Sequence, residues 1–231
     1  MDTNNINKKT ARLAGLVFLL MVVFGLTAEI FFRQKLFVTD DIAATARNIL
    51  SNDFLYRFGI VCDLLMALSY LLTALALYRL LSSVNKNWAT VMVLFATAGS
   101  ILLMFNIQNE FAPLCILNGS DFMSGYNAIQ LQSLAMLYYN SYTHGYMIGQ
   151  IFFALWVLPL GALIYRSGFI PKVFGVLFII ETVFGLSSVI VHFLVPNGTA
   201  ETLLLLPGTI AEFAFMLWLL IRGVNGSKLP A

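Results

Sequence analysis

Apolar residues run along this chain in six long blocks, and most polar residues are confined to the short segments between them. A helix rises about 1.5 Å per residue, so about 20 apolar positions cover the hydrocarbon core of a bilayer. The blocks predict six transmembrane helices, at about Thr10–Phe32, Phe54–Leu80, Trp88–Ala112, Ser141–Arg166, Lys172–Val195 and Thr202–Gly223. Two intervening segments carry a helical pattern of their own. "TDDIAATARNILSND" (Thr39–Asp53) spaces Ile42, Ala46 and Ile49 at helical intervals behind a candidate N-cap, Asp40. "YNAIQLQSLAMLYYN" (Tyr126–Asn140) places Leu131, Leu134 and Tyr138 on one side. Run on into the fourth block, it would give a helix of about 60 Å, too long for one bilayer. It is therefore expected to lie apart, along the interface or over the bundle. The expected fold class is all-α: an integral membrane bundle of six transmembrane helices in one domain. Short interfacial helices, at about 40–52 and 126–140, are expected on the outer side.

Composition strengthens this reading. Of 231 residues, 60% are hydrophobic and 10% charged, with 20 Phe and a mean hydropathy of +0.87. Soluble domains carry about 25% charged residues, so this chain cannot coat a globule with solvated surface and must face lipid. The net charge of +2 is small and scattered, which excludes a nucleic-acid binder. Charge also orients the spans. With the N-terminus inside, nine of the 13 Lys and Arg residues fall on the cytoplasmic side: Lys8, Lys9, Arg12, Arg79, Lys86, Arg166, Lys172, Arg222 and Lys228. Arg33, Lys35, Arg47 and Arg57 fall outside. Both termini are thus expected in the cytoplasm. The first block is longer than the core of a signal peptide, and Leu26 breaks the small-x-small pattern before Ala28, so it reads as a retained span. Cys62 and Cys115 sit in apolar segments, without metal-ligand or redox spacing, and read as buried thiols.

Depth, counted inward from the helix ends, sorts the polar residues into two layers. Asp63, Gln150, Glu181 and Glu212 fall near mid-membrane; Glu29, Arg57, the Asn106–Glu110 cluster, His144 and His192 fall near the outer boundary. An ionisable group at bilayer depth costs about 2.5–3.5 kcal/mol even on the lenient insertion scale, so these residues should face the bundle interior. Gly59, Asp63, Ala67, Tyr70 and Ala74 form a mostly small stripe that should carry Asp63 against other helices. Asp63, Glu181 and Glu212 have no basic partner at their level. They cannot all be ionised in a low dielectric, so some carry a proton, or a cation or water-filled cavity offsets them. Arg57, the basic residue just inside an outer helix end, is expected to pair with Glu29 and Glu110. Asn106, Asn109 and Glu110 share one helix face and would wall an outward-facing polar vestibule whose floor is Asp63, Glu181 and Glu212. His144 and His192 are weak metal or haem candidates, because no HxxxH or HExxH spacing supports them. Gly145-x-x-x-Gly149 and "ATAGS" (96–100) offer small-residue faces for close helix packing, within one chain or between copies. Pro113, Pro159 and Pro207 are expected to kink or end helices, and Asn118, Asn197 and Asn225, each followed by Gly, to make turns.

Four phrases, "TARLAGLVFLLMVVFG", "RFGIVCDLLMALSYLLTALALYRLL", "HGYMIGQIFFALWVLPLGALIYRSGFIPKVFGVL" and "PGTIAEFAFMLWLLIRGV", together resemble a bacterial multi-pass membrane family of unknown function (domain of unknown function 4386). The resemblance spans about Thr10 to Val224. It implies a bacterial inner-membrane protein, and it brings no substrate, cofactor or catalytic residue.

Three readings follow. The first is a non-enzymatic bundle, without cofactor, that binds a small polar or cationic ligand or ion from the outer side in a transport-like, sensing or accessory role. Its candidate site residues are Asp63, Glu181, Glu212, Arg57, Asn106, Asn109, Glu110, Glu29 and Gln150. The second is an intramembrane metal- or haem-dependent enzyme using His144 and His192 with nearby carboxylates. The third is a structural or oligomerising protein whose polar groups only join helices.

Overall fold

A computed structural model describes residues 3–119, 124–195 and 197–224; Asn225 and Lys228 lie outside them. Every regular element among the described residues is helical. In chain order these are α1 (Thr3–Thr27), a π-helical segment (Ala28–Arg33), α2 (Gln34–Leu36), α3 (Ile42–Ser51), α4 (Asp53–Leu81), α5 (Lys86–Leu117), α6 (Ala128–Ser167), α7 (Lys172–Leu194) and α8 (Gly198–Ile221). Six spans are long and apolar enough to cross a membrane: Lys8–Leu36, Asp53–Leu81, Lys86–Leu117, Ala128–Ser167, Lys172–Leu194 and Gly198–Ile221. The chain is a multi-pass membrane protein.

The six expected spans are all present, but several boundaries move. The first span does not stop at Phe32; the π-helical turn carries it on to Leu36. The segment 126–140 is not a separate interfacial helix, because α6 runs unbroken for 40 residues, about 60 Å. No Gly or Pro interrupts it before Gly145, and its start is capped reciprocally. Asn127 Oδ1 accepts from the Gln130 amide, while Gln130 Oε1 accepts from the Asn127 amide. Bilayer thickness limits how much of a helix lies in lipid, not how far the helix continues beyond it. None of the three prolines ends a helix: Pro113, Pro159 and Pro207 lie inside α5, α6 and α8. The short helix near 40–52 forms as α3, with its cap one residue later than expected. Asp41 Oδ1 accepts from the Ala44 amide at 2.7 Å, whereas Asp40 takes a left-handed backbone with φ of 61°.

The chain forms two compact units. Unit 1 draws on residues up to Leu20, on Ser69–Ser100 and on Met147 onward; unit 2 comprises Met21–Leu68 and Ile101–Tyr146. The small-residue stripe of α4 is buried as expected, with Asp63, Ala67, Tyr70 and Ala74 all at most 5% exposed, while Leu64, Leu68, Leu72 and Leu75 stay outward. Such a leucine surface is stable only against lipid. In unit 2, Phe32, Ile49, Tyr56, Ile60, Ile107 and Leu114 make the apolar core. In unit 1, Phe178 meets Phe215 edge to face, and α6 and α7 approach backbone to backbone at Gly161 and Gly175. Gly99 packs on Phe152 and Phe153 within the same unit. Cys62 and Cys115 are free thiols; Cys62 is buried as expected, Cys115 exposed.

Candidate functional site

The principal polar site is in unit 2 and is organised by Arg33. A π-helical turn inserts one residue into the helical register, an offset of about 100° at 3.6 residues per turn. As a result, the consecutive residues Phe32 and Arg33 are both turned inward: Phe32 is 1% exposed, and the Arg33 side chain only 15%. Phe32 lies against Gly59 of α4, where any Cβ would overlap its ring, and meets Tyr56 edge to face at 4.8 Å. That close seat sets the position from which Arg33 reaches its partners.

Three carboxylates converge on this guanidinium. Nε donates to Glu29 Oε2 at 2.8 Å, and Nη1 donates to Asp63 Oδ2 at 2.8 Å and to Glu110 Oε1 at 2.7 Å. Nη2 adds a longer bond to Asp63 Oδ1 at 3.3 Å, and the Tyr142 hydroxyl lies 3.2 Å from Nη1. Asp63 and Glu110 are 1% and 0% exposed, whereas Glu29 keeps 48% of its side chain accessible. One cation thus faces two fully buried carboxyls and one half-open one. Glu110 Oε2 is buried and receives no hydrogen bond from any N–H or O–H group. The Asp63 and Glu110 carboxyls are close enough to hydrogen-bond each other once a proton lies between them. With one proton, the buried set of Arg33, Asp63 and Glu110 is neutral; without it, the set carries a surplus negative charge in a medium that strongly disfavours one.

A second row of polar contacts supports the first. Asn106 Nδ2 donates to the Tyr142 carbonyl at 2.8 Å, Asn109 Nδ2 donates to Asn106 Oδ1 at 3.1 Å, and the Tyr56 hydroxyl donates to the Glu110 carbonyl. Phe37 stacks on Tyr139, with ring centroids 3.6 Å apart, and Tyr139 on Tyr142. Gly145 leaves room for Asn106, because a Cβ there would overlap the Asn106 amide. Gly145→Ala is therefore expected to push Asn106 away from Tyr142 and to destabilise the fold by about 1–3 kcal/mol, the usual range for overpacking. Thermal unfolding of the detergent-purified variant checks this, and an unchanged midpoint would show that Asn106 can repack freely.

Of the residues proposed from sequence, Glu29, Asp63, Asn106, Asn109 and Glu110 come together here. Arg57 does not join them. Its side chain is 52% exposed, pairs with Asp53 at 2.7 Å and lies over the Phe111 ring, so the pairing expected with Glu29 and Glu110 is made by Arg33 instead. Sequence counting ended the first span one residue short of Arg33 and placed it outside the membrane. The available signal was the i, i+4 spacing of Glu29 and Arg33, which is a helical ion pair only if the helix continues. Nothing in the sequence marks Tyr142.

The chain belongs to a family of unknown function. The family described as Domain of unknown function (DUF4386) matches residues 13–223, which takes in every residue of the Arg33 cluster. No curated protein and no solved structure matches.

The remaining candidates are elsewhere. Gln150, Glu181, Glu212 and His192 belong to unit 1, so Asp63 is built into a different unit from the two glutamates expected beside it. Glu181 and Glu212 lie within electrostatic range of each other. His192 Nδ1 is 2.9 Å from Glu201 Oε2, and His144 of unit 2 is exposed. Among the described residues, no group of three or more His, Cys, Asp or Glu side chains is placed to hold a metal ion. An open cleft in unit 1, bounded by Lys8, Phe169, Trp218, Arg222, Gly223 and Val224, contains none of the sequence candidates.

Proposed function

We propose that this protein of the bacterial cytoplasmic membrane is non-enzymatic and binds a small cation at the Arg33 cluster in a transport-like or sensing role. The observation that carries the reading is the excess of carboxylate over guanidinium: Glu29, Asp63 and Glu110 surround Arg33 alone. A buried anion surplus attracts a proton, a monovalent inorganic cation or a primary ammonium group, and repels anionic substrates. Arg33 already faces three carboxylates and so does not offer a free anchor for another carboxylate or a phosphate. Glu29 is the accessible member and supplies the entry point. The distribution of Lys and Arg favours an outward-facing position for this end of the spans.

The test is thermal stabilisation of the purified full chain by sodium, potassium and ethanolammonium chlorides, with choline chloride, whose quaternary nitrogen has no N–H donor, as the ionic-strength control. One of these cations is expected to raise the midpoint saturably. A free concentration of 100 times Kd corresponds to about 2.7 kcal/mol of stabilisation. Asp63→Asn should abolish the response while leaving the chain folded. A wild-type response equal to that in choline for every cation, or an Asp63→Asn response equal to wild type, would overturn the assignment.

A further inference from the structure

Unit 1 holds a second carboxyl pair, independent of the Arg33 cluster. Glu181 of α7 lies directly against the backbone of α8. A Cβ built on Gly208 would stand 2.6 Å from Glu181 Cγ, 2.8 Å from Cδ and 3.0 Å from Oε1. Gly208 and Glu212 are four residues apart in α8 and share a face, one turn from each other. The absence of a side chain at Gly208 therefore lets the Glu181 carboxyl settle one helical turn from that of Glu212.

Neither carboxyl has a countercharge. Among the described residues, neither one forms an ion pair with a Lys, Arg or His, and the charge that each one feels is that of the other. From α6, Gln150 brings an uncharged amide to the neighbouring turn of α7, 3.5 Å from where a Gly185 Cβ would stand. From α4, Tyr70 is 5% exposed, and its hydroxyl is buried with no hydrogen-bond partner. Glu212 is the charged group that acts on that hydroxyl. Glu181 Oε2 is likewise buried and without a partner. Native proteins rarely leave buried polar atoms unsatisfied, so two such atoms beside one acidic pair mark a polar site, and the Glu181 oxygen is the one that lacks a hydrogen. Two neighbouring carboxylates in an apolar medium cannot both stay ionised without a compensating charge.

We propose that Glu181 and Glu212 form an intramembrane proton-binding site that holds one proton shared between the two carboxyls. One proton held by the pair gives Glu181 Oε2 the hydrogen it lacks and removes one of the two negative charges. Uptake and release of that proton change the charge of the pair by one, with the Tyr70 phenol as the other titratable group beside it.

Infrared spectroscopy of the full chain in lipid at neutral pH tests this directly, because a protonated carboxylic acid has a carbonyl stretch that a carboxylate lacks. Wild type minus the Glu181→Gln/Glu212→Gln double variant is expected to show one acid's worth of this band. Any contribution from the Arg33 cluster cancels in the difference. No difference band, or an amplitude of two acids, would overturn the shared proton. Glu181→Asp and Glu212→Asp keep both acids and serve if the double variant does not fold. Each is expected to shift the band, and a band unmoved by both would also overturn the proposal. Cation binding at the Arg33 cluster is read from a different variant, Asp63→Asn, so the two results stand or fall separately.

Discussion

Arg33→Ala is expected to be the most damaging single substitution in unit 2, costing about 3–5 kcal/mol, the range seen when one partner is removed from a buried ion pair. The reason is the burial of what remains. Asp63 and Glu110 are almost wholly inaccessible and would lose the one cation paired with them among the described residues, while Glu29 can turn to solvent. Arg33→Lys should recover part of the loss. A lysine ammonium is a point charge with three donors, and it cannot match a planar fork that engages Glu29 through Nε and the two buried carboxyls through Nη1. Glu110→Gln should be much milder than Arg33→Ala, because it removes surplus negative charge and keeps an acceptor for Nη1. Unfolding of the three variants in mixed micelles measures the order. If Arg33→Ala unfolded with the wild-type midpoint, the cluster would not be an ion pair in the membrane.

The second large effect lies in unit 1, at the crossing of α6 and α7. A Cβ on Gly161 would stand 2.7 Å from the carbonyl oxygen of Gly175, and a Cβ on Gly175 would stand 2.7 Å from that of Gly161 and 2.8 Å from the Tyr165 nitrogen. Both obstacles are backbone, so no rotamer change relieves them and the helices must separate. Gly161→Ala and Gly175→Ala are each expected to cost about 1–3 kcal/mol, and Gly175→Leu more. Close backbone approach between small residues is a main source of helix association in lipid, where no hydrophobic force drives it. Gly149→Ala is the control. Its Cβ would meet Phe153 at an ordinary 3.7 Å, and alanine gains about 1 kcal/mol over glycine in helix propensity. Equal losses at Gly149 and Gly175 would mean that the crossing is not specially tight.

The six spans could be read from sequence because an apolar run of sufficient length has few other folded outcomes, and six helices of that length and composition are present. The inward face of α4 was readable for a similar reason: small residues at three- and four-residue steps opposite leucine define which side packs. So was the shared face of Asn106, Asn109 and Glu110, which follows from helical spacing alone. These properties are local, set by the chain within a few turns.

Partnership was not local. Arg33 is 30 residues from Asp63, 77 from Glu110 and 109 from Tyr142, and only a π-helical turn aims it at all three. Depth counting assumed that each helix ends where its apolar run ends, so it gave Arg57 the role that Arg33 fills. The same assumption cut α6 in two, although a helix can continue past the lipid boundary with its backbone hydrogen bonds intact. Depth along a helix axis also carries no information about rotation around it. Asp63, Glu181 and Glu212 were assigned one level, yet the fold builds Asp63 into an ion pair in one unit and seats Glu181 on Gly208, a turn from Glu212, in the other. Hydrophobicity along the chain thus determined that this protein spans a membrane and where its helices run. Which charge meets which was decided by helix rotation and crossing, because those depend on the close contacts of glycines and aromatic rings far apart in sequence.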